Sequence, residues 1–186
     1  MPRIPAPPEP LSAERVALRL SAERDIPEIL IAYQDDPQLH IAMGQQRPPS
    51  GAELGRREER AATERGAGTQ LTLTVLEPGS DVCCGQVHVR DVDWDNDRAE
   101  LAIWLAPQVR GRGLAASALR LTADWILNNT ALERLQVTTT PDNESMIRAA
   151  RAAGFVEEGV LRGYLRVGGR RSDATILSLL PSDMEG

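Results

Sequence analysis

Apolar positions along this chain change period in a regular way, and the changes mark its elements. Val16 to Leu20 alternates, predicting a first strand; from Ser21 the period lengthens, with Ile26, Ile29, Leu30 and Tyr33 on one helical face. Asp36-Pro37 opens a short further turn with proline at a first helical position, and Gly44 to Gly51 reads as a loop. Ser50 followed by Glu53 is a capping-box signature, so a helix runs on to about Arg65. That helix is charged, has little apolar stripe, and reads as a surface or lid helix. Leu71–Leu76, Val82–Arg90 and Ala99–Leu105 are three strands, joined by the Glu77–Asp81 turn and by the acidic loop Asp91–Arg98 around Trp94. Short connections predict an antiparallel meander. Leu114, Ala115, Ala118, Leu119, Thr122, Trp125 and Ile126 then recur at helical spacing, ending near Asn128-Asn129. Arg134–Thr139 is a strand, Pro141-Asp142-Asn143 caps a helix ending at Gly154, and Phe155–Val160 is a strand that Tyr164–Val167 continues or follows after a bulge. Gly168-Gly169 signals a hairpin before the last strand, Thr175–Leu180. The order predicts an α+β fold with a mixed sheet.

Composition narrows the class. The chain has 186 residues, enough for a sizeable core in one domain. Met1 to Pro10 holds five prolines and no apolar run, so residues 1–14 are expected to be a flexible tail, not a signal peptide, with a single domain over 15–182. No apolar run approaches the ~20 residues that span a bilayer, so no membrane is expected. The net charge of −6 argues against nucleic acid and favours a cationic substrate. All of the basic residues are arginine, which removes a Walker-type phosphate loop and a pyridoxal-phosphate Schiff base, since both need lysine. Adjacent Cys83 and Cys84 read as reduced thiols, which fits a cytoplasmic location. With His40 and His88 they are too scattered for a zinc site, so no metal is expected.

The stretch Ile103-Trp104-Leu105-Ala106-Pro107-Gln108-Val109-Arg110-Gly111-Arg112-Gly113-Leu114-Ala115 changes the picture most. A strand passes through a tight cationic loop directly into a helix. The first N–H groups of a helix lack internal partners and carry the positive end of its dipole. Gly111 and Gly113 remove side chains that would hold a ligand off the backbone, and Arg110 and Arg112 add charge to the turn. The expected ligand is a diphosphate. Gly111-Arg112-Gly113-Leu114-Ala115-Ala116 also fits G-x-G-x-x-A, the dinucleotide fingerprint. That reading lacks its acidic partner at the end of the next strand and follows a meander instead of opening a βαβ series.

Four motifs in order carry a family resemblance. Gln108-Val109-Arg110-Gly111-Arg112-Gly113 is similar to the Q/R-x-x-G-x-G/A loop of the GNAT superfamily of acyl-CoA-dependent N-acyltransferases. Asn143 followed by Gly154-Phe155 resembles that family's asparagine and glycine-aromatic pair. Ala99 to Leu105 looks like the A-E-I-G-Y-W-L strand of the RimJ/RimL-like branch, which acetylates N-termini of ribosomal proteins, and Gly168-Gly169-Arg170 with Asp173 looks like its C-terminal hairpin. The resemblance covers roughly residues 16 to 181. It implies a mostly antiparallel twisted sheet flanked by helices, the acyl-CoA N-acyltransferase fold. It also implies acetyl-CoA as acyl donor. Val109 to Ala115, after Gln108, would bind the pyrophosphate; Ile103, Trp104 and Leu105 would pair with the pantetheine arm like a neighbouring strand; Asn143 would hydrogen-bond the cofactor, its alternative being a plain helix cap.

The catalytic positions depart from the family. Its tyrosine acid falls on Ala150, the glutamate of many N-terminal acetyltransferases on Thr138, the serine of the ribosomal branch on Met146 with Ser145 one place early, and a hairpin glutamate near Leu165. Glu100 remains as the base candidate and Tyr164 as a proton donor to the leaving thiolate, each with a structural alternative; His88 could face the acceptor groove, but a strand histidine at a surface is the simpler expectation. Alignment of an amine with a thioester alone lowers a barrier by ~7–11 kcal/mol. An α-amine with pKa near ~8 is about a tenth neutral at pH 7, a lysine near ~10.4 well under one part in a thousand, so a site without a strong base suits an α-amine. The expected activity is acetyl transfer from acetyl-CoA to a primary amine, on a protein N-terminus or a small molecule. The competing readings are a non-catalytic acetyl-CoA-binding module and an NAD(H) oxidoreductase. A homodimer is left open.

Overall fold

The computed structural model describes residues 3–184. Its strands are β1 (Leu11–Ser12), β2 (Ala17–Leu20), β3 (Leu71–Leu76), β4 (Gly85–Asp93), β5 (Arg98–Leu105), β6 (Arg134–Thr139), β7 (Val156–Val167) and β8 (Arg170–Leu179). Its α-helices are α1 (Ile26–Asp35), α2 (Leu39–Ala42), α3 (Gly51–Gly66), α4 (Leu114–Asn129) and α5 (Glu144–Ala152). The strands make one sheet in the order β1-β2-β3-β4-β5-β6-β8-β7. Every neighbouring pair is antiparallel except β5 and β6, which are parallel. The predicted mixed, mostly antiparallel α+β sheet is therefore the observed one.

That parallel pair shapes the molecule. Only Arg98–Glu100 pair with Arg134–Gln136, although β5 runs on to Leu105 and β6 to Thr139. Past Glu100 the two strands separate and the sheet is open between them. Alternation sends Ala99, Leu101 and Leu105 to one face, where they join Val87, Val89, Leu135 and Val137 against Ala118, Leu119, Ala123 and Ile126 of α4. On the other face Trp104 packs with Ile29, Tyr33 and Leu54 in a smaller cluster, which draws α1 and α3 onto the sheet. The Tyr33 and Trp104 rings lie 6.4 Å apart at 41°.

A buried ion pair ties α1 down. The Arg19 guanidinium donates to both Asp25 carboxylate oxygens, at 2.9 and 2.6 Å, and Thr74 Oγ1 donates to the same group at 2.6 Å. Burial works against an ionised Asp25, but Arg19, Thr74 and the Ala22 N–H together hold its carboxyl below the ordinary range.

Several boundaries differ from expectation. Residues 3–14 are largely exposed but anchored at points: Ile4 is 1% exposed, its N–H donates to Arg65 O, and Leu11–Ser12 pairs with β2. Proline-rich chain suits this sheet edge because it is extended and needs few N–H partners. β4 starts at Gly85, not Val82, because the preceding turn takes up the chain, with the Val82 N–H donating to Ser80 Oγ. It then continues to Asp93 with a register shift after Arg90. β7 is one long strand with two register shifts, and β8 begins at Arg170 because Gly168 and Gly169, both at positive φ, form a two-residue turn. The charged helix α3 is a surface helix anchored by Leu54, with Ser50 and Glu53 forming the expected capping box.

Candidate active site

The glycine loop has the geometry that its sequence promised, with a different use of its arginines. Gly111 and Gly113 have φ of 76° and 80°, a left-handed conformation that L side chains rarely adopt. Among the described residues, the N–H groups of Gly111 through Ala116 have no acceptor in the chain, while Val109, Arg110 and Ser117 have theirs. Six free donors thus gather at the start of α4. Arg110 donates to Leu105 O at 2.9 Å and to Asp36 at 2.6 Å; Arg112 donates to Glu77 and to Gln108 O; Gln108 donates to Asp35. These side chains brace the turn, and their charge is compensated. Val109 is buried in the core and anchors the loop from below. The donors left free in this turn are backbone N–H groups.

A cleft of about 520 Å³ opens where β5 and β6 part. Ile103, Trp104 and Leu105 of β5 line one side, Gly111, Gly113, Leu114 and Ala115 the floor, and Asn143, Met146 and Ala149 of α5 the other side. Ala106 N–H bonds back to Cys84 O, so alternation turns the backbone groups of Leu101, Ile103 and Leu105 toward the opening. Leu105 O is taken by Arg110; the peptide groups of Ile103 remain for an extended ligand. Asn143 is the cap of α5: its Oδ1 accepts from the Met146 N–H and its Nδ2 donates to Thr139 Oγ1. It also faces the cleft, so both readings of this residue meet at one position.

A second cavity, of about 260 Å³, lies on the other side of Trp104, under α1 and α3. Trp104 and Met43 line both cavities. Its walls are polar: Thr72, Gln86, His88 and Arg90 from the sheet, and Arg57, Glu58, Arg60 and Glu64 from α3. The α3 residues carried no motif in the sequence; only the capping box and the apolar Leu54 hinted that this helix is placed at all. The mixture of charges differs from the acidic environment that net charge alone suggested. His88 Nδ1 lies 3.1 Å from Thr72 Oγ1. Burial, with Arg90 and Arg57 nearby, pushes the His88 imidazole down to about 4, leaving it neutral near pH 7.

The two proposed catalytic side chains fare differently. Glu100 is buried on the face of β5 that carries Trp104, but its carboxylate is engaged on both oxygens, by Arg90 at 2.7 Å and by Thr138 Oγ1 at 3.0 Å. Tyr164 is half exposed in β7, within the second register shift between Leu161 and Leu165, and lines neither cavity. The structure does not bring it to the cleft, because β7 is the far edge of the sheet. Ala150, at the position expected for the family tyrosine, is fully buried on the inner face of α5. Cys83 and Cys84 are buried thiols, pushed up to about 12 and about 11 by burial, and play no part in either cavity. Among the described residues no helix is long and apolar enough to cross a membrane.

Comparison with known proteins converges on this geometry. YdaF of Bacillus subtilis is 30% identical over 103 residues, 55% of this chain and 56% of that protein. The uncharacterized N-acetyltransferase p20 of Bacillus licheniformis is 26% identical over 181 residues, 96% of this chain and 99% of its own length. Among solved structures, Mycobacterium smegmatis RimJ in complex with CoA-disulfide superposes with a TM-score of 0.81 at 22% identity, covering 92% of this chain and 84% of that one. RimL in complex with coenzyme A superposes at 0.82 with 15% identity, covering 92% and 98%. Those identities speak to the fold. The Acetyltransferase (GNAT) domain matches residues 15–156, which include the glycine loop, both walls of the cleft and the second cavity: the chain belongs to the GNAT acetyltransferase family.

Proposed function

We propose that this protein is an acetyl-CoA-dependent N-acetyltransferase acting on a primary amine, with residues 15–182 forming one catalytic domain in the cytoplasm. The observation that carries the reading is the row of six unpartnered N–H groups at Gly111–Ala116, at the end of a cleft that starts where β5 and β6 part. The donor's pyrophosphate sits on those N–H groups, and the pantetheine arm runs along the free edge of β5 at Ile103. This places the thioester at the splay, beside Trp104. The acceptor enters from the polar cavity on the opposite side of that ring. The amine lone pair attacks the thioester carbonyl directly, and the Ile103 N–H stabilises the oxyanion of the tetrahedral intermediate. Binding of nucleotide through a dinucleotide fingerprint has no support in the topology, because the loop follows an antiparallel meander rather than opening a βαβ unit.

The acceptor is an α-amine. Two carboxylates near the cavities are engaged, Glu100 on both oxygens by Arg90 and Thr138 and Glu58 on one oxygen by Ser21. A nucleophile that is already partly neutral is then needed. The test is a peptide bearing both a free N-terminus and a lysine, incubated with acetyl-CoA and mapped by mass spectrometry. Acetyl at the N-terminus is expected. Acetyl on the lysine alone would overturn the α-amine assignment. The same two engaged carboxylates, with Ala150 in the place of the family tyrosine, favour one second reading, a binding module without turnover, which would leave the peptide unmodified.

A further inference from the structure

We infer that His88 is the proton carrier of the acceptor cavity: its free ring nitrogen takes the N–H proton of the attacking amine and returns it to the departing CoA sulfur. The inference rests on the acetyl-transfer reading above and adds to it the residue that handles the proton. His88 lies on β4 directly opposite Ala102 of β5, one residue before Ile103 and two before Trp104. Side chains directly opposite on antiparallel strands have Cβ atoms about 4.5–5.5 Å apart. Ala102 has no side chain beyond that atom to cover the imidazole from the β5 side. His88 lines the polar cavity. Nδ1 is held by Thr72 Oγ1, and among the described residues Nε2 has no partner in the chain and is not sealed from solvent. With Nδ1–H donating to the threonine, the Nε2 lone pair points into the cavity.

The charged groups around the ring keep it in the form that accepts a proton. Arg90 neighbours it on β4 and is itself paired with Glu100; Arg57 and Arg60 face it from α3, with Glu64 bonded to Arg60 and Glu58 bonded to Ser21. Burial first, then Arg90 and Arg57, depress the imidazole to about 4. The amine arrives with its lone pair free. As the C–N bond forms, the nitrogen becomes acidic and its proton passes to Nε2. Collapse of the tetrahedral intermediate breaks the C–S bond, and the thiolate takes the proton from the imidazolium, restoring neutral His88. A depressed pKa serves the second transfer: the imidazolium is a strong donor and does not retain the proton.

The experiment compares wild type, H88Q, T72V and T72S with acetyl-CoA and the best amine found. Acetyl-CoA binding by calorimetry is the control, since neither residue lines the cofactor cleft. H88Q is expected to lower kcat about 100-fold, the scale of a lost acid–base group, with the acetyl-CoA Kd within about twofold of wild type. T72V, which releases the ring, lowers kcat by about tenfold, and T72S restores it. The wild-type kcat/KM rises between about pH 5 and 8 with deprotonation of the amine and shows no limb near ~6.5, where an unperturbed histidine would give one. H88Q turnover within about threefold of wild type, with binding intact, overturns the role of His88 and leaves acetyl transfer standing. Wild type that binds acetyl-CoA yet releases no CoA with any amine overturns both.

Discussion

Gly113 precedes α4 with φ of 80°, and the space beside it is ordinary: a Cβ there would meet only the Arg15 guanidinium at 3.5 Å. Any loss on substitution therefore comes from the backbone conformation, which costs an L residue roughly 1–2 kcal/mol. Gly113→Ala is expected to raise the acetyl-CoA Kd about tenfold by calorimetry, as the loop relaxes away from the shape that gathers the free N–H groups. An unchanged Kd would mean that those donors do not hold the ligand. The glycines and their neighbours were legible in the sequence because a backbone requirement shows up as residue identity. The arginines beside them were half legible. Their presence in the turn was plain, but Asp36 and Glu77, which pair with Arg110 and Arg112, lie 74 and 35 positions away, and no local pattern links them. Tyr164, which lines neither cavity, was illegible for a related reason: a tyrosine in an alternating strand says nothing about which edge of the sheet that strand occupies.

At the scale of elements, the site depends on how β5 is flanked. Its parallel pairing with β6 ends after three residues, which frees the edge that a pantetheine arm needs, and its other face carries Trp104 between two cavities. The acceptor side exists only because α1 and α3 stay on the sheet, and the Arg19–Asp25–Thr74 cluster holds the start of α1 there. Both members of the ion pair are nearly inaccessible, with side chains 7% and 2% exposed. Arg19→Ala leaves a buried carboxylate without its cation, and a loss of roughly 3–5 kcal/mol in urea unfolding is expected. A loss below about 1 kcal/mol, the range of an exposed pair, would contradict the clamp. Element types and their order followed from periodicity, since burial on one face imposes it. What periodicity could not reveal is the early parting of β5 and β6, a property of tertiary packing, or the placement of residues 3–14, whose order comes from contacts made by Ile4 and Leu11 with a core assembled elsewhere.

For the whole molecule, the donor is proposed to lie on the part of the GNAT fold that a motif marks and the acceptor on this chain's own side chains. The cofactor cleft is built from backbone geometry and could be read from one motif. The cavity proposed for the acceptor is built from single side chains on five elements, β3, β4, β5, α1 and α3, brought together only by folding. Its walls carry arginines as well as carboxylates, so the overall charge of −6 is a poor guide to what enters it. The central claim is that these two cavities, meeting at Trp104, transfer an acetyl group from one to the other. The most direct measurement is the release of free CoA from acetyl-CoA, followed with a thiol reagent, across peptides with free N-termini, polyamines and aminoglycosides, each against the amine-free rate. The account predicts release above background with at least one amine, strongest among peptide N-termini. Tight acetyl-CoA binding with no release across the whole panel would contradict it.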